Sequence, residues 1–486
     1  MRGSGILMHI TSLPGPYGVG TMGKQAYRFA DFLHKAGQSY WQVLPLTPTG
    51  YGDSPYQSCS AYAGNPYLID LDLLVEQGLL EESEITACNW GDDPKKVDFG
   101  LLYENRFTLL RKAYARFRDE EALTRFCSTN ESWIPEYAHY MALKDQYGGK
   151  PWYEWPEEIK GRDTVNESFR ELNKEIKFYL FVQYLFFTQW EKLREYCHSL
   201  GISIIGDVPI YVPYDSVEVW AEPHYFCLDE TLTPTAVAGC PPDYFSRDGQ
   251  LWGNPLYNWE RHKKDGYRWW LRRLTQASKL YDVIRIDHFR GFAGYYTIPY
   301  GAENAREGQW LEGPGMDFLN AVKAALPDTA LIAEDLGILT PDVHKLRDDA
   351  GLPGMRILEF AFDGDGRNLY LPYNHIKNSV CYTGTHDNMP LAQWFTEAGT
   401  ETTTRAIDYM GQPKDPVWGM VALCMASVAD LSIVQMQDLL GLGKESRMNF
   451  PGTCGNNWTW RAKDDFVTEP LAIKIKKLTR ICGRGV

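Results

Sequence analysis

Eight short runs of apolar, β-branched and aromatic residues recur along the chain, and each stops at a polar residue. They are ILMHITSL (6–13), WQVLPL (41–46), ISIIGDVPIYV (202–212), DVIRIDHF (282–289), ALIAEDLG (330–337), MRILEFAF (355–362), VCYTGTHDN (380–388) and LSIVQMQDL (431–439). Runs that stay apolar at successive positions bury both faces of a strand, which is the condition of a parallel sheet covered by helices. Helical patterns lie between many of them. GKQAYRFADFLHKAGQ spaces Tyr27, Phe29, Phe32 and Leu33 as a helix would and stops at Gly37, a C-terminal cap. PDVHKLRDDAG opens on Thr340 and Pro341 and closes at Gly351, and FYLFVQYLFFTQWEKLREYCHSLG runs to Gly201 and straight into a strand. Eight strands alternating with helices predict a (β/α)8 TIM barrel with inserted, largely helical subdomains between its strands.

The intervals between the runs are uneven. The reading is a single catalytic barrel domain over 1–486, with a helical insertion at 71–200 that is too long for one crossover. Residues 213–260 and 292–325 are read as smaller loop insertions over the face where barrel strands end, which is where barrel active sites form. One apparent nucleotide motif, GVGTMG (18–23), follows a long loop with two prolines, and the next strand ends LPLTP without an acid for a ribose; it is a plain glycine-rich loop.

Charge narrows the function. A formal net charge of −14 on 486 residues disfavours binding to nucleic-acid phosphates or an anionic membrane. The most apolar stretch, IKFYLFVQYLFFTQWEKL, is broken by Gln183 and Gln189, and MRGSGILMHITSLPG lacks the charged and apolar regions of a secretion signal. Ten cysteines without a CxxC or a His/Cys metal spacing imply reduced thiols in a cytoplasm, with no metal and no cofactor.

Four of the runs carry an acid near their ends: Asp207 in GDVPIYV, Asp287 in RIDHF, Glu334 in AEDLG and Asp387 in THDN. One such Asp serves any fold as a helix cap. Four converging on one barrel rim are costly without a counter-ion or a function, and the two chemistries that use them are a divalent metal site and glycosidic-bond chemistry with paired acids. Arg285 lies two residues before Asp287, on the same side of the strand, where it keeps the carboxylate ionised as a nucleophile and repels a metal. Glu334 has apolar residues before it and an acid after it; burial and a second carboxylate raise such a group toward the range of a general acid. His288 and His386 each adjoin one of the acids, either as donors to a sugar or as structural histidines. Two Gly/Pro-rich loops add rings: Tyr51, Tyr56, Tyr62 and Tyr67 in one, and Tyr244, Phe245, Trp252, Tyr257 and Trp259 in the other. Such rings either stack on pyranose faces or pack back onto the core.

ITSLPGPYGVG, TGYGDSPYQSCSAYAGNPYLIDL, GDVPIYV, PPDYFSRDGQLWGNPLYNW, RIDHFRGF, AEDLG, GLPGMRILEFAF, TGTHDN and MNFPGT, in this order over nearly the whole chain, resemble the 4-α-glucanotransferases. These are the amylomaltases or disproportionating enzymes of the α-amylase clan. The resemblance implies retaining transfer of α-1,4-glucan segments from one maltodextrin to another or to glucose. The implied partners are maltose, maltotriose, longer maltodextrins and starch or glycogen fragments. It also implies roles by motif. Asp287 is the nucleophile, Glu334 the general acid/base and Asp387 the group that stabilises the distorted sugar. Asp207, Arg285, His288 and His386 line that subsite. Trp252, Ser54 and Tyr56 contact the glucan, Tyr51 belongs to a second glucan site, and Phe360, Asn457 and one of Asp363 and Asp365 add sugar contacts. The two catalytic carboxyl groups are expected about 5–5.5 Å apart, as in retaining enzymes. An α-glucan hydrolase of the α-amylase type shares these acids and is the alternative reading; a non-catalytic glucan-binding protein would have no use for all three.

Overall fold

The computed structural model describes residues 2–160, 172–242, 247–337 and 339–485. Among them, eight parallel strands follow one another around a barrel: β1 (Gly3–Leu7), β2 (Tyr40–Gln42), β3 (Ser203–Val208), β6 (Val283–Ile286), β9 (Ala330–Ala333), β10 (Gly354–Ile357), β11 (Ser379–Tyr382) and β12 (Leu431–Gln435). This is the (β/α)8 barrel that the eight apolar runs predict. Each run supplied one strand, but the ladders end earlier than the apolar patterns do. Past Ile357 the chain turns into a short 3-10 helix, Leu358–Phe360, and past Gln435 into the helix Met436–Leu439. The helix Lys24–Lys35 ends with Gly37 at φ +69, and Pro341–Asp349 with Gly351 at φ +73, conformations that favour glycine.

The barrel closes at its weakest seam through a buried acid. β9 and β10 share no ladder, and a backbone bond from Ala333 N to Pro353 O at 2.9 Å joins them. Asp335, the second acid of AEDLG, lies beside that seam, 1% exposed. It accepts from the backbone N–H of Met355 on β10 at 2.6 Å and from the guanidinium of Arg347. Gly354 makes room for it, since a Cβ there would stand 2.3 Å from an Asp335 carboxylate oxygen.

The segment between β2 and β3 is helical, with its longest helices at Phe99–Arg116, Ile134–Gln146 and Asn173–Ser199. The two glutamines that interrupt the apolar run of Asn173–Ser199 are its working parts. Gln183 accepts from Gly64 N at 2.7 Å and donates to Gly64 O at 3.0 Å. Gln189 accepts from Asp70 N at 2.7 Å and donates to Asp70 O at 3.1 Å. Glu218 adds bonds from Ser60 Oγ at 3.1 Å and Ala61 N at 2.8 Å. Three buried polar side chains thus fix the end of the 50–67 loop onto the body of the protein.

The stretches 213–260 and 292–325, which read as loops in the sequence, contain strands. β4 (Ala236–Cys240), β5 (Gln250–Pro255), β7 (Gly294–Pro299) and β8 (Gln309–Glu312) form one antiparallel sheet in the order β5-β4-β7-β8. QLWGNP and QWLE hide their strand character because they are short and carry no regular apolar alternation, QWLE being exposed throughout. The glycines of GVGTMG serve close packing: a Cβ at Gly20 would meet Ile10 O at 2.0 Å, and one at Gly23 the Asp70 carboxylate at 1.9 Å. Among the described residues, no helix is long and apolar enough to cross a membrane.

Replacing Asp335 by Ala leaves the Met355 N–H without its partner in the interior and takes from Arg347 the more buried of its two carboxylates, Asp348 remaining at 2.6 Å. The expected loss is about 1–3 kcal/mol of stability, as for a buried donor left unpaired, read as a lower midpoint in guanidinium chloride unfolding; an unchanged midpoint would refute the seam.

Candidate active site

Asp207 is the fifth residue of β3, Asp287 follows β6 by one residue, and Glu334 follows β9 by one. Neighbouring strands place these three side by side on the C-terminal rim. Asp387 differs from the strand-end pattern: β11 stops at Tyr382, and Asp387 sits on the turn beyond it. That turn caps itself, with Asn388 Oδ1 accepting from Thr385 N and Thr385 Oγ1, each at 2.9 Å. Gly384 lets it lie flat, because a Cβ there would approach Glu359 Oε1 at 2.5 Å. Gly206 plays a similar part on β3. The ring of Tyr281 fills the space of its missing Cβ, and the Tyr281 hydroxyl accepts from Leu46 N at 3.1 Å, joining the tops of β2 and β3 beside Asp207.

Arg285 is the centre of charge. One of its nitrogens, Nη1, donates to Asp207 Oδ2 at 2.6 Å and to Asp287 Oδ1 at 3.1 Å. The sequence suggests Asp287 as its partner; the structure makes Asp207 the closer one. Arg285 and Asp207 are sealed, with side chains 3% and 0% exposed, whereas Asp287 keeps 29% of its side chain open to the cleft. Burial pushes the Asp207 carboxyl up to about 6, held down chiefly by Arg285, so it remains ionised near neutrality.

Glu334 is the acid left over. Its Oε2 accepts from His288 N at 2.6 Å and its Oε1 from Leu336 N at 3.0 Å, so its position is set by backbone. His288 reaches it by taking a left-handed conformation at φ 51, a strained geometry for a non-glycine residue. Burial raises the Glu334 carboxyl to about 8, with Arg285 opposing and the Asp287 charge adding to the rise. One guanidinium faces three carboxyls, and Glu334, the one it does not bond, takes up the proton.

The walls come from the loops. Tyr56 donates to Asp207 Oδ2 at 2.9 Å and stacks on His386, centroids 5.0 Å apart and planes 16° from parallel. His386 Nε2 lies 3.4 Å from Asp387 Oδ1. Trp252 of β5 meets the His288 ring edge-on at 4.8 Å, and burial pushes His288 down to about 4, so the ring is neutral. These contacts gather Asp207, Arg285, Asp287, His288, Glu334, His386, Asp387, Tyr56 and Trp252 into one site.

Other residues named from the sequence engage their own loops. Ser54 Oγ accepts from Tyr56 N at 3.2 Å. Asn457 is buried, accepting from Phe450 N at 3.0 Å and donating to Thr453 O at 3.2 Å. Phe360 packs against Tyr370, Asp363 accepts from Asn368 at 3.2 Å, and Asp365 pairs with Arg367 at 2.6 Å. Tyr62 and Tyr257 are buried in the core. Tyr244 and Phe245, and the side chain of Tyr51, lie outside the described residues. Four neighbours escape the sequence reading. Asn449 donates to Asp387 Oδ1 at 2.6 Å, and Arg447 donates to Asp387 O at 3.0 Å. Trp458 lies 5.7 Å from both the Tyr56 and the His386 rings, and His9, which burial holds neutral, stands behind His386. Of these, Asn449 carried a signal, its place in MNFPGT.

An accessible carboxylate bonded to a guanidinium beside a raised and buried one, on the rim of a (β/α)8 barrel, fits an enzyme that works on glycosidic bonds. Comparison with known proteins names the kind. The 4-alpha-glucanotransferase family model matches residues 8–468, and the chain belongs to that family. The 4-alpha-glucanotransferase of Clostridium butyricum is 47% identical over 485 residues, covering 98% of this chain and 100% of that protein. That of Aquifex aeolicus is 46% identical over 493 residues, with 100% of both covered. An amylomaltase from Streptococcus agalactiae, solved in complex with acarbose, superposes with a TM-score of 0.97 at 42% identity over 100% of both chains.

Asp287 contributes to the raised Glu334 value, so Asp287→Asn moves Glu334 down from about 8. Titration of the carboxyl stretch of Glu334 by difference infrared spectroscopy checks this; a value that stays or rises would break the charge-sharing account.

Proposed function

We propose that the chain transfers α-1,4-glucan segments between maltodextrins, or from a maltodextrin to glucose, with Asp287 as nucleophile and Glu334 as acid/base. The observation that carries the reading is the division of protons around Arg285. Asp287 is bonded to a guanidinium and open to the cleft, while buried Glu334 is pushed toward neutrality and above. A nucleophile needs the first state and a general acid the second.

In the first half-reaction, an Asp287 carboxylate oxygen bonds to the anomeric carbon as that carbon's bond to the leaving O4 breaks. Glu334 gives its proton to that O4, and the shortened glucan leaves. In the second half, the 4-hydroxyl of an incoming glucan gives its proton to Glu334, its oxygen bonds to the anomeric carbon, and Asp287 is released ionised. Two inversions retain the α configuration. Asp387, beside His386 and with 42% of its side chain exposed, stabilises the cationic sugar between the two. Asp207 holds Arg285 in place, and Tyr56 fixes Asp207 in turn.

Water competes with the acceptor for the intermediate. Transfer prevails when the cleft is shielded and the acceptor held in line. Trp252, packed on His288 next to the nucleophile, is the proposed shield. Tyr56, Ser54 and Phe360 on the rim loops, with Tyr51 and Asp363 by resemblance, are proposed to bind the glucan further out, and Asn457, buried with its amide bonded inside its own loop, to act through that loop's shape. The proposed compartment is the cytoplasm, consistent with ten cysteines that are all free thiols.

Incubation with maltotriose yields glucose and a ladder of shorter and longer dextrins; a steadily shrinking distribution would instead indicate a hydrolase, and an unchanged one a binder. Asp287→Asn leaves a folded protein with transfer reduced by at least about 10³-fold, judged against the cost of removing a catalytic group; substantial remaining transfer would refute its role. Trp252→Ala raises glucose release by hydrolysis relative to transfer, and an unchanged ratio in product analysis would remove Trp252 from the shield.

A further inference from the structure

The chain between Met448 and Trp458 forms a closed loop pinned at its two ends. Trp458 N donates to Met448 O at 2.6 Å, and Trp458 holds a left-handed φ of 64 to do so. Inside the loop, the buried Asn457 amide bonds Phe450 N and Thr453, which uses its polar atoms to set the loop's own shape. Just before the loop, Arg447 stacks its guanidinium 4.1 Å over the Phe450 ring, donates to Asn449 O at 2.9 Å and reaches Asp387 O at 3.0 Å. At its far end, Trp458 rests on the Tyr56–His386 stack. The loop therefore grips the turn of Asp387 from two sides, and Asn449 is the point where it touches the carboxylate, at 2.6 Å.

We propose that Asn449 is a positioning residue for the transfer reaction: its side-chain amide, set by the closed loop Met448–Trp458, holds the Asp387 carboxylate in the orientation that serves the reacting sugar. This inference rests on the role proposed above for Asp387. The Asp387 backbone is held by its own short turn and by Arg447, but besides Asn449 its carboxylate has the longer contact to His386 Nε2 at 3.4 Å, and with 42% of the side chain exposed it is open enough to swing without the amide. At 2.6 Å the bond is short and fixes the direction of the carboxylate. An amide suits the position because it donates without adding charge. A cation there would pull the carboxylate away from the sugar, and an acid would repel it.

The groups that face Asp387 are His386 through Nε2, Arg447 from the loop and Tyr56 across the stack, with Glu359 and Glu397 behind Arg447. Against this fixed background, changes at position 449 report on one contact. The test is steady-state disproportionation of maltotriose from pH 5 to 9 by Asn449→Ala, Asn449→Asp and Asp387→Asn, with folding checked by circular dichroism. Asn449→Ala is expected to lower kcat by about 10- to 100-fold, as for a lost hydrogen bond to a charge, with KM changed less than about threefold. Asn449→Asp is expected to move the acidic limb of kcat up by about one pH unit or more, since two carboxylates then share one proton. A kcat for Asn449→Ala within about twofold of the parent, or an acidic limb unmoved in Asn449→Asp, overturns the proposal. If Asn449→Ala fails to fold, the near-isosteric Asn449→Asp decides by its limb alone. Asp387→Asn separates the two levels. Near-parental activity there removes the role of Asp387 and this inference with it, whereas an inactive Asp387→Asn beside parent-like position-449 variants removes this inference only.

Discussion

One guanidinium nitrogen organises the site. Arg285 Nη1 bonds two carboxylates from adjacent strands, one sealed and one open. Taking three carboxyls and one cation out of water is tolerable only if charges are matched. Asp207 and Asp287 share the cation, and the third carboxyl settles the balance by holding a proton. The electrostatics therefore favour the proposed division, Asp287 as nucleophile and Glu334 as acid, before any substrate arrives. The guanidinium also repels a metal from the two acids it bonds, since it already supplies their positive charge.

Buried polar side chains carry the distance from fold to chemistry. Tyr56 reaches Asp207 because the loop behind it is clamped by Gln183, Gln189 and Glu218, three side chains that meet backbone groups at positions 60 to 70. Glu334 stays in register with β6 because Asp335, next to it, ties β9 to β10. Two adjacent acids thus do different work: one points into the cleft, and the other closes the barrel wall that supports it. Each of these polar groups is costly to bury and expensive to leave unpaired, which makes the geometry they fix nearly all-or-none.

The barrel was legible because its strands are buried on both faces, and burial writes itself as unbroken apolar runs. Asp207, Asp287 and Glu334 were legible for a related reason: a charge inside or directly after such a run has few reasons to be there. The β4–β8 sheet was not legible, since strands such as QWLE at an exposed edge carry no apolar period. Gln183 and Gln189 read as breaks in an apolar helix, although they are its most specific contacts. Asn449 could not be connected to Asp387 at all, because the two lie 62 positions apart and no periodicity links them. Local pattern reports burial; it does not report which distant polar groups meet.

The proposed chemistry explains why one buried acid suffices for both halves of the cycle. The group that leaves and the group that enters are the same sugar 4-hydroxyl, so the second step is the first in reverse. Glu334 must give a proton and then take one from a partner of identical basicity, and a value near neutrality serves both directions equally. The burial that raises Glu334 also keeps bulk water from the proton it holds. Selectivity for a glucan over water falls to how tightly the rings of Trp252 and Tyr56 cover the cleft, and to how firmly the loop around Asn449 holds Asp387 to the sugar while the acceptor exchanges.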